Sequence, residues 1–176
     1  MTVIAWIVED TWPACVDAAR AHAPEGAEVV LLHITDPEAS GAAHGAYAGL
    51  MGRAHPREHR PAAEGWGSDP GTAVEDLAAA SAADLLAAAA ERLGRPCRRT
   101  ERVGRAGREV VAAAEGAELL VLARDGDRTH PGPHSLGPAG RFIVDHAPCP
   151  VLLVAPEAAP GTDPLPPGSP PPPPHL

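Results

Sequence analysis

The sequence predicts an open α/β fold: a five-stranded parallel sheet with helices on both faces. Three observations carry that expectation. Four short runs, TVIAWIV at 2–8, AEVVLLHI at 27–34, ELLVLA at 118–123 and PVLLVA at 150–155, are nearly continuous in apolar character, as strands covered on both faces must be. Segments of helical period lie between them, so strands alternate with helices rather than with hairpin turns. The length of 176 residues suits one domain whose core needs no disulfide staples.

Taken in order, 2–8 reads as a central first strand. Glu9, Asp10 and Thr11 follow as cap candidates, and Pro13 falls in the first turn of a helix expected over 12–22, where its missing N–H costs nothing. The inward stripe of that helix is Cys15, Val16, Ala19 and Ala23. After the second strand at 27–34, residues 36–71 are rich in Pro, Gly, Ala, His and Arg and have no sustained period. That stretch is far longer than an ordinary βα connection, so it is either a functional excursion or a mobile loop.

An Ala-rich helix is expected over 72–93, with Val74, Ala78, Ala82, Leu85, Ala89 and Leu93 in one stripe and Gly94 as its stop. The polar run CRRTERV at 97–103 suits an edge strand. A third helix over 107–115, closed by Gly116, leads to the strand at 118–123. A fourth over 138–146 begins with Pro and leads to the last strand at 150–155. The Pro-rich tail at 156–176 ends in PPPPPHL and buries too little apolar surface to fold, so an ordered domain over 1–155 and a disordered tail are expected.

Composition excludes several classes. The net charge of −9 opposes general binding to nucleic-acid backbones, which needs a positive field. No run of 18 apolar residues exists to span a membrane, and the N-terminus lacks the basic start of a signal peptide, so a cytoplasmic location is expected. Cys15, Cys97 and Cys149 are an odd, scattered set without a CxxC pair, which fits buried thiols in a reducing compartment. All 14 cations are Arg and about a fifth of the chain is Ala, a bias of coding before chemistry. Among nine histidines, only His44, His55 and His59 can converge locally, and Pro56 opposes the helix that would align the last two, so no metal site is assigned.

Three segments resemble the universal stress proteins: VVLLHITD at 29–36, RVGRAGREVVAAAEGAELLVLARDG at 102–126, and GPAGRFIVDHAPCPVLLV at 137–154 with its His-Ala-Pro-Cys-Pro-Val signature. The resemblance implies the fold above and, in one branch of the family, an adenine nucleotide held by a G-x2-G-x9-G-(S/T) pattern between the fourth strand and fourth helix. Here that stretch runs from Ala123 to Gly126 and then to Gly137 and Pro138, so two of the four key positions match. Pro138 removes a hydroxyl and an amide from the anion site. Each such lost hydrogen bond to a charge is worth on the order of 1.5 to 3 kcal/mol. The amides of Ala139 and Gly140 remain.

The implied ligand is ATP or another adenine nucleotide, with Mg as its companion ion. Its base would lie among Trp6, Ile34 and Leu122, and its ribose near the exit of the first strand at Ile7, Val8, Glu9 and Asp10, where Glu9 is preferred. Core packing competes for the tryptophans and helix capping for the two acids. No nucleophile elbow or catalytic carboxylate pair stands out, so slow ATP hydrolysis is the most enzymatic activity expected. The resemblance also implies a homodimer paired through the last strand, Val151 to Val154, which covers an apolar edge. A nucleotide-free dimeric adaptor is the rival reading, with 36–71 or the tail contacting a protein partner.

Overall fold

The computed structural model describes residues 1–36, 70–126 and 136–156, with only the backbone described for 70–75. Five parallel strands alternate with four helices. They are β1 (Thr2–Trp6), α1 (Trp12–His22), β2 (Glu28–Thr35), α2 (Pro70–Leu93), β3 (Arg98–Val103), α3 (Ala106–Ala113), β4 (Leu119–Ala123), α4 (Pro138–His146) and β5 (Val151–Val154). The sheet order is β3-β2-β1-β4-β5, with every neighbouring pair parallel. The polar β3 is an edge, as its composition predicts, and β5 is the other.

Alternation along the strands sorts the core into two layers. Val3, Ala5, Val29, Leu31 and Val121 face one side, where they pack with Cys15, Val16 and Ala19 of α1 and Leu86, Ala89 and Leu93 of α2. Ile4, Trp6, Val30, Leu32, Leu120 and Leu122 face the other, against Val110 of α3 and Ile143 of α4. The α1 stripe is as expected. In α2 the row shifts: Ala82, Leu86, Ala89 and Leu93 are buried while Leu85 is half-buried. Steps of four, three and four residues keep one row on the sheet, and Leu86 rather than Leu85 continues it. Val74 lies outside the described side chains, as does all of 37–69. The tail from 157 is likewise outside the described residues.

Two expectations at the first strand are corrected. The strand ends at Trp6 because the chain turns at once: the Val8 carbonyl accepts from the amides of Thr11 at 3.0 Å and Trp12 at 2.9 Å. The cap expected of Glu9, Asp10 and Thr11 is absent, since Thr11 occupies the N-cap of α1 without a side-chain cap bond and the first turn holds no acid. Helix α3 spans 106–113 and stops before 115, where the Ala114 amide closes on Val110 and Val111 and Gly116 turns with φ of 78°. No described helix is long and apolar enough to cross a membrane.

Helices α1 and α2 are joined at the surface by Arg92, whose Nε donates to Asp17 Oδ1 at 2.9 Å and whose terminal nitrogen donates to Oδ2 at 2.6 Å. That fork holds the Asp17 carboxyl below its ordinary pKa. A depressed carboxylate contributes stability above its unfolded pKa of about 3.9 and loses it as pH falls through the folded value. Because both side chains are well exposed, Arg92→Ala should cost little at pH 7. The difference from wild type should shrink in urea melts as the pH is lowered below about 3.9.

Cys15 behaves oppositely. Burial pushes its thiol up to about 12, and a backbone contact with Ala123 offsets this only in part. With the folded pKa above the unfolded one, the thiol's contribution is complete below about pH 8.5 and is lost as pH rises toward the folded value. Stability should fall by up to about 1.4 kcal/mol per pH unit in that window, and urea melts of Cys15→Ala should lack this slope. Desolvation also raises Cys97 and Cys149, so neither has the lowered pKa of a catalytic thiol.

Candidate ligand site at the carboxyl end of the sheet

Neighbours β1 and β4 feed crossovers that leave in opposite directions, α1 toward β2 and α4 toward β5. Their carboxyl ends therefore diverge, and this is where open α/β sheets bind ligands. On the β1 side the Ile7 amide donates to the Leu32 carbonyl at 2.8 Å. His33 Nδ1 donates to the Ile7 carbonyl at 2.9 Å, which pins the exit of the strand. On the β4 side the Arg124 amide donates to Val154 at 2.9 Å, and Asp125 and Gly126 follow.

Facing them is the amino end of α4. Gly137 is its N-cap and has no side chain to offer, Pro138 brings no N–H, and the first turn contains no acid. Helix starts leave amides that need acceptors and favour negative charge. Asp125 supplies both: its carboxylate accepts from the Gly137 amide at 2.7 Å and from the Gly140 amide at 3.3 Å. The fit depends on both glycines. A Cβ on Gly140 would lie 2.5 Å from Asp125 Oδ1, and one on Gly137 would lie 2.9 Å from Oδ2. The place where a phosphate would sit on α4 is thus occupied by a carboxylate of the chain itself.

The residues expected to bind a nucleotide are divided by the sheet. Trp6, Ile34 and Leu122 do come together on the α3 and α4 side, with Val8 and Ala139 packed against the same cluster. They meet as core, with exposures of 5%, 9% and 0%. Ile7 and Ala123 belong to the opposite layer. Glu9 and Asp10 are exposed beyond the strand. Gly126 ends the described part of the loop, and Gly137, Pro138, Ala139 and Gly140 form the start of α4. His44, His55 and His59 lie outside the described residues.

With Asp125 in place this donor set does not fit a nucleotide phosphate. Two of the amides at the helix start are engaged, Pro138 has none, and a second anion would meet the carboxylate. Asp125 itself was not singled out by the sequence pattern. The signal for it was present but shared: a helix start without any capping side chain of its own, preceded by a loop in which Asp125 and Asp127 flank the glycine of the motif.

The profile of the universal stress protein family matches residues 9–155. The chain belongs to the universal stress protein family. Its fold is shared with solved structures. The hypothetical protein MJ0577, whose structure was used to assign its biochemical function, has 15% identity and a TM-score of 0.59 over 90% of this chain and 97% of its own. A universal stress protein in complex with cAMP has 16% identity and a TM-score of 0.57 over 89% and 98%. A family member from Arabidopsis thaliana with AMP bound has 16% identity and a TM-score of 0.52 over 90% and 93%. Such identities establish a common universal stress protein fold and no more. None of the curated proteins matches the chain significantly.

Proposed function

We propose that this universal stress protein is a regulatory adaptor that keeps the phosphate position of its fold filled with its own carboxylate and acts through protein contacts. The observation that carries this reading is Asp125 on the amides of Gly137 and Gly140. It is supported by the close packing of Trp6, Ile34 and Leu122, which leaves the ring positions to the core. Homodimerisation through β5 is part of the reading: β5 is an apolar edge whose Leu153 is 41% exposed, and pairing two such edges across a two-fold axis would cover both.

Binding of an adenine nucleotide is the second reading, favoured by the common fold with proteins solved with cAMP and AMP. It requires the ligand's phosphate to displace Asp125. Calorimetry against ATP, ADP, AMP and cAMP with magnesium separates the two. The adaptor reading expects no heat from the wild type below millimolar ligand, and the appearance of heat in Asp125→Ala. Micromolar binding by the wild type, unchanged in Asp125→Ala, would overturn it in favour of the second reading.

A further inference from the structure

Seven of the chain's fourteen cations lie within residues 92–108, where Glu101 is the sole acid, although the chain as a whole carries −9. This stretch includes the whole of the edge strand β3. Four of the seven are engaged: Arg92 with Asp17, Arg95 with the carbonyls of Ala23, Pro24 and Ala27, Arg98 with Glu28 at 3.2 Å, and Arg102 with Glu109 at 3.7 Å. Arg99, Arg105 and Arg108 are exposed and meet no acid among the described residues.

Among the described residues, no strand pairs with the outer edge of the same strand. The Gly104 amide donates to the Thr35 carbonyl at 3.0 Å, so Gly104 aims its main chain at β2. In a parallel ladder that direction alternates along the strand. Arg102 and Thr100 therefore also turn inward, while Arg99, Glu101 and Val103 present N–H and C=O groups to the open side. Val103 is 64% exposed beside them. Such a row of main-chain groups is a template for one more strand.

We propose that this edge docks an extended, acidic segment of a partner protein, which adds to β3 as a sixth strand and sets its carboxylates against Arg99, Arg105 and Arg108. Charge selects the occupant. A second copy offering its own β3 would bring arginine against arginine, and a neutral edge would leave the cations unpaired on a surface being desolvated. The bare main-chain donors and acceptors suit a peptide backbone, whereas a nucleic-acid strand would use the arginines alone.

The test uses the full chain and a fluorescent decapeptide, (Glu-Val)5, followed by anisotropy. Saturable binding is expected, with no binding of (Lys-Val)5. The double variant Arg99→Glu and Arg105→Glu should weaken it at least tenfold, and Arg99→Gln with Arg105→Gln by less; these side chains are exposed, so both variants should keep the wild-type circular dichroism. Methylating alternate peptide nitrogens of (Glu-Val)5 should abolish binding, because it removes ladder donors while leaving every charge. Undiminished binding of the methylated peptide would overturn strand addition. Tighter binding of a ten-nucleotide oligouridylate, or no binding of (Glu-Val)5 by the wild type, would overturn the proposal as a whole.

Discussion

Asp125→Ala should destabilise the fold by about 1 to 3 kcal/mol and at the same time create an anion site. The first effect follows from the isolation of the α4 start. Gly137 has no side chain, Pro138 no N–H, and the first turn no acid, so among the described residues Asp125 alone supplies negative charge there. Removing it leaves the amides of Gly137 and Gly140 without their acceptor at the positive end of the helix. The second effect follows from the same vacancy. Two amides and the helix dipole then face the crevice with no opposing charge, and affinity for ATP or inorganic phosphate should rise at least tenfold.

Gly140→Ala offers an independent route to the same state. Its methyl group would stand 2.5 Å from Asp125 Oδ1, so the carboxylate must withdraw although its charge is retained. It should lose similar stability and gain less phosphate affinity than Asp125→Ala. Urea denaturation and phosphate calorimetry on both variants provide the check. A stability loss below about 0.5 kcal/mol in Asp125→Ala would refute the capping role.

Trp6→Ala should have the largest effect on folding, about 3 to 5 kcal/mol. The ring is 5% exposed and packs with Leu32, Ile34, Leu122 and Ile143 between the sheet and the α3 and α4 layer. Alanine there removes the transfer free energy of an indole and leaves a cavity that the sheet on one side and the helices on the other cannot fully close. A tryptophan held ready to stack on a ligand would instead stand open in the free protein, and its loss would change stability little while removing binding. Urea melts decide between these roles. A cost below about 1 kcal/mol would return Trp6 to the ligand site, and Trp6→Phe should retain more stability than Trp6→Ala because a smaller cavity is left.

The order of elements was legible because it depends on periods within each segment. Continuous apolar runs marked β1, β2, β4 and β5, and Pro138 and Pro13 marked helix starts that the structure places at Pro138 and Trp12. Even the edge position of β3 followed from RRTERV, since a strand flanked on both sides could not leave so many arginines in water. Finer features were less legible. Leu85 and Leu86 are adjacent and equally apolar, and only the angle at which α2 lies on the sheet makes Leu86 the buried one.

The sequence by itself determined the fold, the family and the place of the crevice, because strand and helix periods and the switch in crossover direction are encoded along the chain. The tertiary structure alone decided what fills that crevice. Whether Trp6 faces a ligand or Ile143, and whether Gly137 and Gly140 give their amides to a phosphate or to Asp125, depends on contacts between elements far apart in sequence. The Asp125 carboxylate reaches across 12 residues to Gly137 and 15 to Gly140, and no local period carries that information. It arises when β4 and α4 are set side by side, leaving a helix start with too few acceptors next to a carboxylate that can supply them.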